Sequence, residues 1–349
     1  MGSGRPLAGD FAPVLASPDR VIREVVGLRP FRRSGFNVSV DRVGDVVVIH
    51  NYGHGGGGIS LSWGTAVMAV ERALATPHRV AAVIGAGVVG LSTARCLQQH
   101  GFQVSMYAAD LPPNTTSNVA GASWGPFSVF ERERTPPGFA AQFTRAAGLA
   151  YAYFEGLAGP RYGVSWRQNY CLSDGKAEGF AVPSEEDRLI EGIRPDAEPV
   201  LPGEHPFGRF TVSRRLAMLI EPPIYLSALM TDYRAGGGFV SIRRFNAPGE
   251  LSSLGVPLVV NCTGLGAGAL FGDADVLPIK GQIVVLKAQP EVDYLTIGPG
   301  DLYMMPRADG VMLGGTHERN VWSLDPSPAE TERILAGHRQ FFSQLPSGR

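Results

Sequence analysis

The fold is decided by the stretch 79–110, RVAAVIGAGVVGLSTARCLQQHGFQVSMYAAD. Its apolar beginning, Val80–Ile84, predicts a buried parallel strand that runs into a glycine turn. In a turn of this kind Gly85 permits the sharp bend, Gly87 lets the backbone approach a pyrophosphate, and Gly90 lets the next helix pack against the sheet. The stretch therefore predicts a βαβ unit that binds a dinucleotide.

A carboxylate completes the pattern, because Asp110 stands where the second strand of this unit ends. At that place an acid accepts hydrogen bonds from the ribose hydroxyls of a dinucleotide. The alternative is an ordinary βαβ unit with a glycine-rich turn. A nicotinamide dehydrogenase would use the same first turn, so the turn alone does not decide which dinucleotide is bound.

Composition excludes several classes of protein. The 349 residues carry 31 Lys and Arg against 32 Asp and Glu, a net charge of −1, and no basic stripe that would bind nucleic acid. No apolar run reaches the roughly 18 residues that a membrane-spanning helix needs. The three cysteines, Cys96, Cys171 and Cys262, have neither C-x-x-C nor metal-binding spacing. We therefore predict a protein without metal, membrane or nucleic-acid partners, in a compartment that keeps thiols reduced.

The two ends of the sequence bear on localisation. Met1–Asp10 lacks the charged and apolar regions of a signal peptide, and Ser347–Arg349 is not a peroxisomal signal. We expect a cytoplasmic protein, and the alternative is an exported form whose signal is absent from this sequence. The sequence leaves the oligomeric state open, with a homodimer as one option.

The residues that precede the dinucleotide strand carry a pattern of their own. Val46–His50 predicts a strand, and five glycines follow within the eight residues 51–58, which indicates that something approaches this backbone closely. A helix is predicted to begin at Ser60 or Ser62, and a short helix is predicted over 19–26. Later in the chain the pattern predicts helices over 136–156, 222–234 and 329–345, and strands over 240–245, 258–262, 279–286, 303–305 and 311–315.

Several further segments are as specific as the glycine turn. They are GLRPFRRSG (27–35), VIHNYGHGGGGISLSWG (48–64), GAGVVGLSTA (85–94), AADLP (108–112), GASWGPF (121–127), NCTGLGAGAL (261–270), PIKGQ (278–282) and LYMMPRADGVMLGGT (302–316). Together they resemble the D-amino acid oxidase family of flavoproteins, in particular its yeast-type members. The resemblance covers nearly the whole chain and is weakest over 174–205.

The order of these segments differs from that of the family. Segments 27–35 and 48–64 come last in the family and first here, so the chain resembles a circularly permuted member in which residues 1–75 correspond to the usual C-terminal part. Such a change is physically reasonable. The last helix of the usual order packs beside the first dinucleotide strand, and a short surface loop over 75–80 would join them.

The resemblance implies an α/β fold with two domains that are interleaved in sequence. One is a Rossmann-like FAD-binding domain, expected over 1–135 and 215–275. The other is a mixed-sheet α+β substrate-binding domain, expected over 136–214 and 276–330. A C-terminal helix is expected over 331–349.

The resemblance also implies an FAD-dependent oxidase that acts on D-amino acids and molecular oxygen. Its products would be 2-oxo acids, ammonia and hydrogen peroxide, with hydride transfer from the substrate Cα to flavin N5. Arg29 is expected to bind the substrate carboxylate bidentately, Tyr303 to support that carboxylate through its hydroxyl, and Gly56 to accept a hydrogen bond from the substrate amine. His54 is expected to be a structural turn residue.

The residues that the resemblance places along FAD come from seven segments of the sequence. They are Gly55, Gly56, Gly57, Gly58, Ile59, Ser60, Gly85, Ala86, Gly87, Val88, Val89, Gly90, Ala109, Asp110, Thr115, Thr116, Ser117, Gly121, Ala122, Ser123, Trp124, Phe245, Cys262, Thr263 and Gly264. His317 and Trp322 either border the substrate pocket or merely pack, and the sequence does not choose between these roles.

Two features bear on the substrate side chain. The stretch 290–301 is short, with Pro299 where the animal enzymes carry a lid tyrosine, and no arginine lies in 290–302. We therefore expect neutral or bulky side chains. A glycine or sarcosine oxidase, and a flavin-binding protein without oxidase activity, remain as alternatives.

Overall fold

Two β-sheets organise the molecule. The computed structural model describes residues 11–121, 123–175 and 183–343. In this part of the chain the elements are β1 (Val21–Arg32), β2 (Val40–Val43), β3 (Val46–His50), α1 (Gly58–Leu74), β4 (Val80–Ile84), α2 (Val88–Gln99), β5 (Gln103–Ala108), α3 (Phe139–Gly156), β6 (Val164–Ser173), α4 (Glu185–Leu189), β7 (Glu198–Val200), β8 (Thr211–Ile220), α5 (Pro222–Ala235), β9 (Phe239–Ile242), β10 (Leu258–Asn261), α6 (Gly266–Phe271), β11 (Val276–Leu286), β12 (Leu295–Ile297), β13 (Tyr303–Arg307), β14 (Gly310–Gly314), β15 (Glu318–Arg319) and α7 (Pro328–Phe341). The predicted α/β fold class is confirmed.

The six-stranded sheet contains the predicted βαβ unit and has the strand order β2-β3-β10-β4-β5-β9. Strands β4, β5 and β9 are parallel, as a dinucleotide-binding unit requires. Strand β10 runs parallel both to β4 and to β3, with Val260 opposite Val83 on one side and Ile49 on the other. The segment before the glycine turn is therefore an integral part of the dinucleotide sheet.

The nine-stranded sheet follows the order β1-β11-β14-β13-β12-β6-β8-β7, and β15 pairs with β11. The antiparallel β1–β11 ladder is long, with Arg29 opposite Ile279. The helix predicted over 19–26 is wrong, because Pro18–Arg20 form only a 3₁₀ turn and β1 begins at Val21. The spacing of the apolar residues over 19–26 fits a helix and a strand equally well, and pairing with the distant β11 makes 21–26 a strand. Pro30 fits within β1 because this strand lies at the edge of the sheet.

The sheets cross the predicted domain ranges at three places. Strand β1, within 1–135, belongs to the nine-stranded sheet; α3, within 136–214, packs against α1; and β8 spans the predicted boundary at 214 and 215. The domain ranges stay a prediction. The C-terminal helix begins at Pro328 rather than at residue 331, and residues 344–349 lie outside the described part.

The largest apolar core lies on one face of the six-stranded sheet, where α1, α2, α3 and α5 pack together. Within it Trp63 Nε1 donates a hydrogen bond of 2.6 Å to Tyr225 Oη, and the Trp63 ring stacks on Tyr153 at 4.3 Å. A second core lies between the nine-stranded sheet and α7. Neither core fills the space between the two sheets, and the candidate site lies there.

Candidate active site

A cavity of about 630 Å³ runs between the two sheets. The predicted residues that line it are Arg29, Gly55, Gly56, Gly58, Ile59, Ser60, Gly85, Ala86, Gly87, Val88, Val89, Ala109, Asp110, Thr115, Thr116, Ser117, Gly121, Ser123, Phe245, Cys262, Thr263, Gly264 and Tyr303. Residues from both ends of the sequence therefore meet around one space. Ala122 lies outside the described residues.

Three predicted residues do not line this cavity, and packing explains each of them. A Cβ on Gly90 would lie 2.0 Å from Gly85 O, so Gly90 lets α2 press against the glycine turn. A Cβ on Gly57 would lie 2.7 Å from a methyl carbon of Val129. Trp124 is buried behind the start of α1, where its Nε1 donates to Ser60 O at 3.1 Å.

The glycine turn leaves room in front of α2 for a phosphate group. Gly85 has a φ of +107°, and a Cβ there would lie 2.3 Å from Cys262 O. A Cβ on Gly87 would meet one neighbouring atom, Ser117 Oγ at 3.1 Å. Because Ser117 Oγ accepts a hydrogen bond of 3.0 Å from Val88 N, its own proton is free to donate. The Ser117 hydroxyl and the N-terminus of α2 thus face the same part of the cavity, which suits a pyrophosphate.

The far end of the dinucleotide half has groups that suit an adenosine. Asp110 follows β5 and is exposed at the cavity edge, and Phe245 lines the cavity nearby. The Arg243 guanidinium lies over the Phe245 ring at 4.7 Å from its centroid, and it too lines the cavity. A carboxylate for ribose hydroxyls and a flat cationic surface for a base therefore occur together.

The other half of the cavity begins at the N-terminus of α1. This helix begins at Gly58, two residues before the earlier of the two predicted positions, because Ser60 does not cap it. Ser60 Oγ instead accepts from Gly125 N at 3.0 Å. The first turn of α1 lines the cavity, so the positive end of the helix dipole lies beside any group bound there.

Gly56 adjoins the loop 126–129. Gly56 N donates to Ser128 O at 3.0 Å, and a Cβ on Gly56 would lie 2.6 Å from Phe127 O. The close approach that calls for glycine at this position is thus made by the protein's own backbone. Gly56 also lines the cavity.

Arg29 and Tyr303 face the same end of the cavity from two strands of the large sheet. Arg29 Nη1 donates to Thr316 O at 3.1 Å, and the guanidinium lies over Gly281 of β11, where a Cβ would be 2.4 Å from Nη2. The Tyr303 ring lies over Gly314 of β14, where a Cβ would be 1.9 Å from Cζ. Two glycines in neighbouring strands therefore make the room for both side chains.

The protonation states at this end follow from burial and from Arg29. Burial raises the pKa of Tyr303, while the charge of Arg29 and its hydrogen bond to the phenol oppose that rise. Burial, together with the charge of Arg29, lowers the pKa of His317, which lines the cavity within 3.4 Å of Ser128 Oγ. At neutral pH this end thus presents a guanidinium cation beside a neutral phenol and a neutral imidazole.

His54, expected to be a structural turn residue, is held in place by packing and one hydrogen bond. Its ring is buried, stacks on Phe36 at 5.4 Å and pairs through Nε2 with Thr65 Oγ1 at 2.9 Å. Burial lowers the pKa of His54 to about 3. The imidazole is therefore neutral at any pH at which the protein is expected to work.

The face of the sheet that carries Tyr303 continues away from Arg29. Strand register places Ile297, Cys171 and Ser213 side by side after Tyr303 on this face. They lead into a second cavity of about 720 Å³ that shares Ser123, Phe127, Asp187 and Ile297 with the first. A group held at Arg29 and Tyr303 thus has free space beyond it. Trp322, by contrast, is 60 % exposed and lines neither cavity.

The sequence missed several residues of the cavity wall. They are Tyr52, Asn114, Phe127, Ser128, Arg243, Gly281, Ile297 and Met305, and the undecided His317 belongs with them. Four of them could have been found, because they lie in quoted family segments: Tyr52, Phe127, Gly281 and Met305. The others come from loops or from strands whose register the sequence does not reveal.

Metal-binding and membrane-spanning features are absent from the described part of the chain. No three His, Cys, Asp or Glu side chains among the described residues are placed to hold a metal ion. None of the described helices has the length and apolarity to cross a membrane.

Comparison with known proteins agrees with this site. A family model described as FAD dependent oxidoreductase matches residues 81–349. The D-amino-acid oxidase of Rubrobacter xylanophilus is 36 % identical over 259 residues, which are 73 % of this chain and 74 % of that protein. Human D-aspartate oxidase is 30 % identical over 260 residues, 73 % of each chain.

Solved structures share the fold at lower identity. Glycine oxidase from Bacillus cereus superposes with a TM-score of 0.55 at 16 % identity, over 75 % of this chain and 78 % of that one. L-proline dehydrogenase from P. horikoshii gives 0.54 at 14 % identity, over 78 % of each chain. The room in front of Gly87, the groups at Asp110, Arg243 and Phe245, and the positive end of the α1 dipole all fit the cofactor of this family. The chain belongs to the DAO family of FAD-dependent oxidoreductases.

Proposed function

We propose that this protein is an FAD-dependent D-amino-acid oxidase. Its substrates would be a D-amino acid, molecular oxygen and water, and its products a 2-oxo acid, ammonia and hydrogen peroxide. The observation that carries the proposal is the pair Arg29 and Tyr303, which meets the N-terminus of α1 across one cavity. The match to D-amino-acid oxidases over three quarters of the chain supports it.

The residues proposed to hold FAD divide according to the parts of the cofactor. Asp110, Arg243 and Phe245 would contact the adenosine, and Gly85–Val89 with Ser117 the pyrophosphate. The residues 55–60 would lie along the flavin ring. When bound, FAD supplies the acceptor for the hydride that leaves the substrate Cα.

The protein's own groups would select and orient the substrate. The Arg29 guanidinium binds the carboxylate through two parallel hydrogen bonds, and the neutral hydroxyl of Tyr303 donates to the same carboxylate. The Gly56 carbonyl accepts from the amine. The carboxylate and the amine are both anchored, and the Cα–H bond must point at the flavin ring. These three conditions select one enantiomer, because only that enantiomer presents its Cα hydrogen to the ring.

The side chain of the substrate is proposed to be neutral or bulky. Ile297 and Met305 give this part of the wall an apolar surface, and the second cavity continues beyond Ile297. The carbons of such side chains would be desolvated against Ile297 and Met305, which favours their binding by about 0.8 kcal/mol per buried CH₂.

We also propose that the chain is a circularly permuted member of its family. The family match begins at residue 81, and the five residues 75–79 suffice to join α1 to β4. At the other end, α7 lies beside the first described residues, since Arg339 Nη1 donates to Ala16 O at 3.1 Å. A short connection from α7 to β1 would therefore restore the usual order.

A panel of amino acids tests the proposed function. The purified yellow protein is supplied with D- and L-enantiomers of alanine, methionine, phenylalanine and aspartate, and with glycine and sarcosine, while hydrogen peroxide and ammonia are measured. We expect peroxide and ammonia in equal amounts from neutral D-amino acids. Arg29→Leu should keep FAD and lose about two to four decades of kcat/KM.

The alternatives give different results in the same panel. Preference for glycine or sarcosine would identify an amine oxidase of another specificity. Absence of peroxide with every compound, in a protein that retains its flavin, would identify a flavin-binding protein without oxidase activity and would refute the proposal.

A further inference from the structure

Three consecutive carbonyl groups lie at the end of β14, and each one faces a different basic side chain. Gly314 O lies 3.3 Å from His338 Nε2, Gly315 O accepts from Arg333 Nη2 at 2.6 Å, and Thr316 O accepts from Arg29 Nη1 at 3.1 Å. Two of the three side chains come from α7. This short segment, 314–316, is therefore held between the C-terminal helix and the proposed carboxylate anchor.

The segment 314–316 also determines where Tyr303 lies. The Tyr303 ring covers Gly314, and a Cβ on Gly315 would be only 3.0 Å from Tyr303 Oη. A shift of these backbone atoms would therefore move the phenol and the guanidinium together. Both proposed carboxylate contacts rest on the same three residues.

The Arg333 side chain bonds to the backbone next to both β13 and β14. Besides Gly315 O, its guanidinium donates through Nη1 to Gly300 O at 2.8 Å, and through Nε to Glu330 at 2.6 Å. Gly300 precedes β13, which carries Tyr303, and Gly315 follows β14. One planar side chain thus fixes the entry to one strand and the exit from its neighbour, a geometry that suits guanidinium and no other side chain.

We propose that Arg333 is a positioning residue for the substrate carboxylate site. It acts through the backbone of Gly300 and Gly315, which sets the places of Tyr303 and Arg29. This inference rests on the proposed function, because it assigns Arg333 a part in binding the carboxylate of that substrate.

The helix that carries Arg333 is anchored independently of this side chain. Gln282 Nε2 donates to Ser327 O at 3.0 Å and to Thr331 Oγ1 at 2.8 Å, at the start of α7. Further along, Gly337 packs closely on Leu302. Removing the Arg333 head group should therefore loosen the segment 314–316 without undocking α7.

The test compares two substitutions at Arg333 with one elsewhere on α7. Arg333→Met keeps much of the side-chain stem and loses all the guanidinium contacts, and Arg333→Lys restores one cationic donor. Arg339→Met is the matched control, because Arg339 donates hydrogen bonds to Ala16 O and Glu332, and neither partner lies in 314–316. Each holoprotein is titrated with benzoate, a simple carboxylate, while the flavin absorbance is followed, and KM, kcat, FAD affinity and Tm are measured.

We expect Arg333→Met to raise both the Kd of benzoate and the KM of a D-amino acid by about tenfold or more, since displacement of a binding group by about 1 Å costs up to ~10²-fold. FAD affinity should stay at the wild-type value and kcat should change less than KM. Arg333→Lys should recover part of the loss, and Arg339→Met should match wild type.

Different results overturn different statements. If the wild-type protein neither binds benzoate nor oxidises D-amino acids, the proposed function fails and this inference fails with it. If wild type does both, three results would overturn the inference alone. The first is an unchanged Kd and KM in Arg333→Met, and the second is an equal loss of affinity in Arg339→Met. The third is a loss of affinity in Arg333→Met and Arg333→Lys that is fully explained by a lower FAD content or a lower Tm.

Discussion

Replacing Gly281 with alanine should disable substrate binding while leaving the protein folded. A Cβ at this position would lie 2.4 Å from Arg29 Nη2 and 2.6 Å from Cζ. Ordinary contact needs roughly 3.5 Å, so the guanidinium must retreat by about 1 Å. Because these atoms end a flexible side chain, the retreat costs the fold little. It does move the proposed carboxylate anchor.

The size of the effect follows from that displacement. A misplacement of about 1 Å at a binding group costs up to about 10²-fold in rate, or about 2.7 kcal/mol of transition-state stabilisation. We therefore expect kcat/KM of Gly281→Ala for a D-amino acid to fall by one to two decades, with most of the change in KM. FAD content and Tm should stay near those of wild type.

The assay is oxygen uptake with a neutral D-amino acid, with the flavin content of each preparation measured by absorbance. Gly249→Ala is the matched control, because a Cβ on Gly249 has no neighbour within 4 Å. A Gly281→Ala protein whose kcat/KM lies within threefold of the control would refute the placement of Arg29 over Gly281 as the carboxylate anchor.

Three other predictions address the cofactor, the pH dependence of stability and the order of the segments. Gly87→Val should lose FAD, because the branched side chain would fill the space in front of α2, and a yellow, flavin-saturated variant would contradict this. Burial lowers the pKa of His338 from 6.5 to about 4, so the folded state binds fewer protons than the unfolded state between these values. The free energy of unfolding should therefore fall by up to about 1.4 kcal/mol per pH unit from this group as pH drops from 6.5 towards 4. His338→Gln should flatten the profile of Tm against pH between pH 6.5 and 4, although His54 still contributes in the same direction. An unchanged slope would show that His338 does not cause this pH dependence. Deleting residues 1–75 should give a colourless protein. Moving these residues to follow Arg349 through a short linker should instead keep FAD and activity, because a few extra loop residues change stability by only about 1 kcal/mol. An active deletion variant would mean that Arg29 and Gly56 are not part of the site.

The βαβ unit was predictable because each of its glycines has a local reason. Gly85 needs a positive φ and Gly90 needs close contact between helix and turn, so residue type reports structure directly. The strand that carries Arg29 was not predictable in the same way. Its apolar spacing fits helix and strand alike, and only the ladder with β11, some 250 residues later, decides.

Strands β6 and β8 were missed for a related reason. One face of this pair borders the second cavity and carries polar side chains, among them Asn169, Cys171, Ser213 and Arg215. These residues interrupt the apolar pattern that marks a buried strand. The same cause hid part of the site, because the neighbours of Tyr303 across the sheet depend on register, which the sequence does not show.

The family segments gave the proposed anchors but not their surroundings. Arg29 and Tyr303 were named from GLRP and LYMMPR, whereas the support of both by Gly281, Gly314 and Arg333 appears only when β1, β11, β14 and α7 are assembled. These partners are far apart in sequence, and only the assembled fold brings them together.

The most direct test of the account is anaerobic reduction of the bound flavin. The holoprotein is mixed without oxygen with D-methionine or, separately, with L-methionine, and the absorbance near 450 nm, typical of oxidised flavin, is followed. If Arg29, Tyr303 and Gly56 orient a D-amino acid towards the ring, the D-enantiomer should bleach the flavin completely within seconds and the L-enantiomer should not. Equal bleaching by both enantiomers, or by neither in a panel of neutral D-amino acids, would contradict the account.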